Sequence, residues 1–182
     1  KLFWPRGKVL GGSSAINAMH YIRGAAENYD EWRDRYGAEG WGWDNALTAF
    51  KSFEGRLAGA NDWHGEDGAL SVQTIDPLNR LTQAFFEACE ALGLPKNDDF
   101  NAHSQLGYGP YEVTQRGIKR CSAAAAFLRP AMARPNLKVI TNALVHRVLL
   151  EGRRTLGVEY KQGKTLKSLN ITREVILSGG AI

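Results

Sequence analysis

The sequence predicts an α+β fold in which helices come first and a mostly antiparallel strand region comes last. Apolar residues recur at helical spacing through much of residues 15–132, whereas strand-like runs separated by turns fill residues 137–178. The 182 residues are 43% hydrophobic and 23% charged, so the chain can bury a core of ordinary size. We therefore expect a folded chain and not a disordered one.

The first part of the chain predicts four helices and one strand. A glycine-punctuated loop from Pro5 to Ser14 precedes a helix-compatible stretch at 15–23, for which Ser13 or Ser14 can serve as N-cap. Helices are also predicted at 27–35 and 44–53, and a half-buried strand at 69–73. The fourth helix begins near Asp76 and Pro77 and stops at Gly93. Its apolar positions follow helical spacing: Leu78, Leu81, Phe85, Cys89 and Leu92.

The second part of the chain predicts a long loop, a short helix and a meander of strands. Residues 97–117 are rich in Gly, Asn and Asp, with a strand predicted at 108–115. An alanine-rich helix is predicted at 122–132. Strands are predicted at 137–141, 144–150, 155–160, 166–172 and 174–178. Because turn signals separate these runs, an antiparallel arrangement is the natural expectation.

Composition and charge narrow the classes of protein. No apolar run approaches the roughly 20 residues that a membrane-spanning helix needs, and the first residue resembles a cut point inside a longer protein. Cys89 and Cys121 lie far apart with no zinc-ligand spacing, so a reducing compartment and no metal are expected. The net charge of +4 is spread thinly, with small basic clusters at 116–120, 153–154 and 161–164 that each lie beside a turn signal. This pattern favours solvated loops over nucleic-acid binding. The expected location is cytoplasmic, with peripheral membrane association left open.

The block from Gly7 to Asn17, continuing to Gly24, carries the strongest chemical signal. Its glycines let the backbone approach a ligand closely, and N–H groups with adjacent hydroxyls suit an anionic group such as a pyrophosphate. On these grounds alone, a tight turn with a serine N-cap explains the pattern equally well. Both interpretations stay open at this point.

The same block resembles the glycine-serine signature of the glucose-methanol-choline (GMC) oxidoreductases, which pairs two glycines, two hydroxyl residues and an asparagine. Further landmarks resemble the choline dehydrogenase-like branch in its own order: residues 41–43, 64–68, 97–101, 105–109, 134–137 and 174–182. The resemblance implies a fragment of such an enzyme, containing parts of its FAD-binding and substrate-binding domains. It assigns residues 1–40 to the FAD-lining segment, 41–135 mostly to the substrate domain, and 136–182 to strands returning to the FAD-binding domain.

The resemblance also implies which residues contact FAD: Val9, Gly11, Gly12, Ser13, Ser14, Asn17, Ala18, Met19, His20 and Val145. Asn17 would lie near the isoalloxazine ring, and Val145 near the adenine end. Some choline-oxidising members attach FAD to a histidine just before the signature asparagine, but Ile16 stands there. Non-covalent FAD is therefore implied. No catalytic residue is assigned, because the family's proton-transferring pair follows the second signature, downstream of this chain.

The implied reaction is oxidation of a primary alcohol, choline or a similar one, to an aldehyde by hydride transfer to flavin. The implied partners are the alcohol and an electron acceptor: a quinone, another acceptor or oxygen. An alternative is a non-catalytic binding or scaffold domain that keeps an oxidoreductase-like segment. A nicotinamide-dependent dehydrogenase would need a glycine fingerprint that this chain lacks.

The four histidines predict no catalytic base. His20 faces either the cofactor or a hydrogen-bonding neighbour, and His64 is expected to brace its own loop. His103 and His146 have no acidic or metal partner at useful spacing and are expected at surface or strand positions.

Overall fold

The computed structural model describes residues 2–180 and contains two compact units, one extending to Arg134 and the other beginning at Pro135. The first unit begins with an extended segment that is interrupted by a 3₁₀ turn at Gly12–Ala15. Helices α1 (Ala26–Tyr36) and α2 (Trp43–Phe53) follow, and each lies within one residue or two of its predicted bounds. No strand passes through Gly11 to Ser14.

Two short strand pairs and a third long helix complete the centre of the first unit. Strand β1 (Glu54–Arg56) pairs in parallel with β2 (Leu70–Val72), and β3 (Gln115–Arg116) forms a hairpin with β4 (Lys119–Arg120). Between them lies α3 (Arg80–Ala91). A π-helical turn at Ala124–Leu128 leads into the one-turn helix α4 (Arg129–Ala131), within the predicted 122–132.

The helix predicted at 15–23 is wrong. After the 3₁₀ turn the chain is extended, because its backbone groups bond to a distant segment and not to each other. The amide of Thr114 donates to the Met19 carbonyl (2.9 Å), and the amide of Tyr21 donates to the Glu112 carbonyl (2.8 Å). Pairing with residues 112–114, which are distant in the chain, has replaced the local i to i−4 bonds that a helix needs.

Two other boundaries differ for identifiable reasons. Helix α3 begins at Arg80 because the Asn79 side chain caps it, accepting from the Thr82 amide at 2.9 Å. The strand predicted at 108–115 shortens to isolated bridges at Tyr108 and Val113 and to β3. Tyr108 pairs with Lys96 whereas Val113 pairs with His20 and Gln73, so the run changes partners along its length and forms no continuous ladder.

The second unit is a three-stranded antiparallel sheet in the order β5-β6-β7, as the turn signals predicted. Its strands are β5 (Ala143–Glu151), β6 (Arg154–Gln162) and β7 (Thr165–Asn170). The predicted strands at 137–141 and 174–178 are wrong, because neither run pairs with another among the described residues. Residues 181 and 182, the end of the closing family landmark, lie outside the described part of the chain.

The core of the first unit is small and lies where β2 meets the segment around Val113. Val72 and Val113 are almost fully buried, and Tyr21, Phe100 and Cys89 join them as buried residues. Much of the predicted α3 stripe faces solvent instead: Leu81, Phe85 and Leu92 are 83%, 61% and 78% exposed. From residue 2 to residue 180, no helix combines the length and apolarity needed to cross a membrane.

Candidate functional site

The Gly11–Ser14 loop has a backbone that only glycine adopts without strain. Gly11 and Gly12 have φ values of 91° and 54°, in the left-handed region. A side chain at Gly11 would also crowd Ala124, whose Cβ would lie 3.1 Å from the added atom. Nothing lies within 4 Å of a Cβ placed on Gly12, so this side of the loop is open. The loop therefore presents bare backbone to whatever approaches it.

The two signature serines have different surroundings. The Ser14 hydroxyl is occupied by the protein: it donates to the Gly11 carbonyl and accepts from the Ala123 amide at 2.9 Å. The Ser13 hydroxyl accepts a long bond of 3.3 Å from the Gly7 amide and lies at the surface. Ser14 thus joins the loop to the π-helical turn, and Ser13 retains the capacity to bind a ligand.

Asn17 is held by two donors on its carboxamide oxygen. Arg120 Nη1 lies 2.6 Å from Asn17 Oδ1, and the Met19 amide lies 3.1 Å from the same atom. The same guanidinium nitrogen also lies 3.3 Å from the Ser14 carbonyl. A single cation therefore contacts two of the residues that the family resemblance places along the flavin.

The segment that follows Asn17 is fixed in an unusual conformation. Met19 has φ of 65°, which is uncommon for a residue with a side chain. Its carbonyl accepts from Thr114, and His20 forms an antiparallel bridge with Val113. The exposed His20 ring lies 5.4 Å from the Tyr111 ring, between centroids. The positive φ directs the chain from the loop into the pairing with residues 112–114.

A cleft adjoins the loop. It measures about 410 Å³ and is lined by Phe3, Trp4, Pro5, Arg6, Ser13, Ile16 and Asn17. Most of these side chains are aromatic or aliphatic, with a few polar groups from Ser13, Asn17 and Arg6. Such a mixture suits a planar, largely apolar ring system that carries a few hydrogen-bonding atoms.

The structure places nine of the ten predicted cofactor residues on one continuous segment, from Val9 to His20. Val9 and Ala18 are exposed within it. The tenth, Val145, belongs to the second unit, where it lies on β5 opposite Tyr160 and is 56% exposed. Contact of these residues with FAD stays a prediction.

A buried ion network lies immediately beyond this segment. Arg23 Nη2 donates to Glu54 Oε2 at 2.8 Å, and both side chains are at most 1% exposed. The other oxygen of Glu54 lies 2.7 Å from His64 Nδ1, and His64 Nε2 lies 2.9 Å from Asp99. The Gly65 amide completes the shell around Glu54 at 2.9 Å. The His64 ring therefore does more than brace its own loop, the expected role, because it joins that loop to β1 through Glu54 and to the segment of Asp99.

The ionisation of this network follows from its contacts. Burial alone lowers the pKa of His64, but hydrogen bonds to Asp99 and Glu54 outweigh it and raise the pKa above the usual 6.5. Burial alone raises the pKa of Asp99, and the bond from His64 reverses this, so that the pKa lies below its usual value. Burial, and next the charge of Glu54, raises the pKa of Tyr21 to about 12. The contacts therefore favour the protonated form of His64 beside an ionised Asp99.

Glu54, His64 and Glu112 lie close enough to suggest a cation site, with candidate ligand atoms within 4.8 Å of one another. Two arginines already bond to these carboxylates, however. Arg23 contacts Glu54, and Arg56 Nε lies 2.8 Å from Glu112 Oε1. The charge balance of the cluster is thus provided by protein groups, which argues for a structural network.

Neutral side chains attach the same segment at its backbone. Asn101 accepts from the Arg23 amide at 2.8 Å and donates to the Tyr21 carbonyl at 2.9 Å. Gln105 donates to the Arg23 carbonyl at 2.7 Å. Tyr21 and Arg23, which follow the Gly11–Ser14 loop, are therefore held by hydrogen bonds to their backbones, and Arg23 is also held by the ion pair of its side chain.

Sequence reasoning missed Arg120 as a site residue and missed the partners of His64. Residues 116–120 were expected to form a solvated loop, yet the Arg120 guanidinium contacts Asn17, 103 positions away. No local signal marks such a pair. For the partners of His64, the only available signal was that the family landmark at 97–101 contains the polar residues Asp99 and Asn101.

Comparison with known proteins defines the class to which this site belongs. The family model described as GMC oxidoreductase matches residues 1–182. The chain therefore belongs to the GMC oxidoreductase family, and the resemblance suggested by the glycine-serine loop is confirmed.

Individual relatives narrow the comparison. The chain is 47% identical over 182 residues to the mitochondrial choline dehydrogenase of Mus musculus, covering 100% of this chain and 30% of that protein. It is 42% identical over 181 residues to the oxygen-dependent choline dehydrogenase of Brucella anthropi, covering 100% of this chain and 33% of the relative. The chain thus spans about a third of the curated relatives it matches.

Solved structures agree on the fold. A pyridoxine 4-oxidase from Mesorbium loti aligns with a TM-score of 0.86 at 33% identity, over 92% of this chain and 33% of its own. An FAD-dependent oxidoreductase from Chaetomium thermophilum aligns with a TM-score of 0.85 at 26% identity, over 93% and 32% of the two chains. The predicted mixed fold with an antiparallel sheet near the C-terminal end is confirmed.

Proposed function

We propose that this chain is a segment of an FAD-dependent oxidoreductase that oxidises a primary alcohol, choline or a similar one, to an aldehyde. The observation that carries the proposal is the Gly11–Ser14 loop: left-handed glycines, an open face at Gly12 and an exposed Ser13 beside an apolar cleft. Choline dehydrogenases at 42–47% identity over the chain supply the substrate class.

The residues present suit FAD as the cofactor. A Cβ at Gly12 would occupy open space beside the loop, and the left-handed backbone there disfavours one, so the surface is kept bare for a close neighbour. Ser13 and Asn17 supply polar groups beside the aromatic and aliphatic lining of the cleft. Ile16 offers no nucleophilic atom, which supports non-covalent binding.

The chemistry divides between the cofactor and the protein. When bound, FAD would supply the acceptor for a hydride from the alcohol carbon, and the hydroxyl proton would pass to a base. Within this chain, the loop binds and orients the cofactor, Asn17 offers an amide group, and the apolar lining excludes water. We assign no proton-transfer residue to this segment. The electron acceptor, a quinone, another acceptor or oxygen, stays a proposal.

We also propose that Val145 lies near the adenine end of FAD. The division of the chain into residues 1–40, 41–135 and 136–182 is a proposal too. They rest on the family resemblance. The same holds for a cytoplasmic location, for which peripheral membrane association stays open. The names of the mouse and human relatives place those two proteins in mitochondria.

The test is to purify the full-length protein that contains this segment and measure its flavin content and its reduction by alcohols without oxygen. We expect released, unmodified FAD after denaturation, and bleaching of the oxidised-flavin absorbance by choline. A matched incubation with betaine, which has no alcohol, should leave the absorbance unchanged. A protein that folds but retains no FAD and reduces none would favour the non-catalytic scaffold instead.

A further inference from the structure

The orientation of the Asn17 carboxamide is determined by its neighbours. Arg120 Nη1 and the Met19 amide both lie within hydrogen-bond distance of one side-chain atom of Asn17, at 2.6 and 3.1 Å. A guanidinium and a backbone N–H are donors only. The atom that faces them must therefore be the oxygen, which leaves the NH₂ group on the other branch of the amide. Among residues 2–180, Asn17 Nδ2 donates to no protein acceptor.

Arg120 is presented to the loop by an anchored hairpin. It ends β4, and the next amide, of Cys121, donates to the Thr114 carbonyl at 2.9 Å. At the turn, Gly117 accepts from and donates to the Gln73 side chain at 3.1 and 2.8 Å. The guanidinium forms no ion pair with any carboxylate of the described chain. Its charge is therefore directed at two neutral oxygens of the loop, those of Asn17 and Ser14.

We propose that Arg120 is a positioning residue for the cofactor site, which commits the oxygen of Asn17 to the protein and leaves its NH₂ as a donor for an acceptor atom of the flavin. The proposal rests on the proposed function, because it requires FAD beside this loop. The charge-assisted contact of 2.6 Å is the stronger of the two bonds to Asn17, so Arg120 decides the orientation. A free asparagine amide could rotate and offer either end.

The first test replaces Asn17 by aspartate in the full-length protein. Asp has the same shape and accepts from both Arg120 and Met19, but it presents an acceptor where Asn presents a donor. Thermal unfolding of the FAD-stripped protein should be unchanged or slightly raised. The FAD dissociation constant, titrated by flavin fluorescence, should rise at least about 10-fold, because a donor contact is lost. Wild-type FAD affinity in Asn17→Asp would overturn the proposal.

The second test asks whether Arg120 acts through Asn17. Arg120→Met should weaken FAD binding by about 10-fold, and Arg120→Lys, which keeps one donor, should weaken it less. In an Asn17→Ala background, Arg120→Met should have little further effect, because the group that it positions is gone. Independent, multiplying effects would show that Arg120 acts elsewhere, through Ser14 or through the fold.

A matched control lies next in the chain. Lys119 carries the same charge on the same hairpin but is exposed and contacts neither Asn17 nor Ser14. Lys119→Met should retain wild-type FAD affinity, and a loss equal to that of Arg120→Met would overturn the positioning role. If wild type itself bound no FAD, the proposed function would fail. If wild type bound FAD and Arg120→Met equalled it, the proposal about Arg120 alone would fail.

Discussion

Replacing Glu54 by alanine should lower the free energy of unfolding by about 3–5 kcal/mol, because it leaves a buried arginine charge without its carboxylate. Glu54 is fully buried and contacts Arg23, His64 and the Gly65 amide at 2.8, 2.7 and 2.9 Å. The lost bonds share one acceptor group, so their individual costs do not add. We therefore use the cost of breaking one buried ion pair, about 3–5 kcal/mol, for the whole substitution.

The chain offers a control of the same chemistry at the surface. Glu31 and Arg35 lie 2.6 Å apart on α1, with side chains 44% and 69% exposed. Glu31→Ala should cost less than about 1 kcal/mol, since the exposed Arg35 guanidinium that remains is solvated by water. Glu54→Gln should fall between the two variants. Its amide oxygen can accept from Arg23 and its NH₂ can donate to a neutral His64.

Urea unfolding of the full-length protein, followed by far-ultraviolet circular dichroism, measures the three variants against wild type. The expected order of destabilisation is Glu54→Ala, then Glu54→Gln, then Glu31→Ala. A loss in Glu54→Ala no larger than that in Glu31→Ala would refute the view that the buried network holds the cofactor segment in place.

Three further outcomes are expected. His64→Gln should be most destabilising below about pH 6.5, where His64 is protonated in both the folded and the unfolded wild type. The difference in unfolding free energy between variant and wild type should shrink as the pH rises through the raised pKa of folded His64. Urea unfolding at several pH values measures this difference, and a difference that does not change with pH would contradict the prediction. Ser14→Ala should lower the unfolding free energy by about 0.5–1.5 kcal/mol, because the exposed Ala123 amide exchanges its protein acceptor for water. Ser13→Ala should leave the unfolding free energy within about 0.5 kcal/mol and weaken FAD binding instead. The 182-residue chain alone should show no turnover with choline and should bind FAD weakly or not at all. It should also self-associate through exposed apolar residues such as Leu81 and Phe85. Micromolar FAD affinity in a fluorescence titration, or a monomer in sedimentation, would count against this prediction.

Local sequence signals account for much of the fold. Helices α1 and α2, the β5-β6-β7 meander and the glycine turn each depend on residues close in sequence, through spacing, caps and turn chemistry. Each of these was predicted within a few residues. The family signature likewise located the candidate cofactor segment, because its glycines and hydroxyl residues are contiguous.

Contacts between distant residues account for what was missed. Met19 bonds to Thr114, 95 positions away, and this pairing converts a helix-compatible stretch into an extended one. His64 and Asp99 are 35 positions apart, and Arg120 and Asn17 are 103 positions apart. A single sequence indicates which side chains could bond but not which of them the fold brings together.

Backbone hydrogen exchange, measured by mass spectrometry on the full-length protein with and without FAD, tests the central claim most directly. The account predicts that FAD slows exchange in peptides covering residues 7–20, since those amides border the proposed cofactor cleft. Peptides covering the exposed turn at 151–154, between β5 and β6, serve as the internal reference and should not change. Unchanged exchange at 7–20 in a protein that demonstrably binds FAD would contradict the placement of the cofactor along this loop.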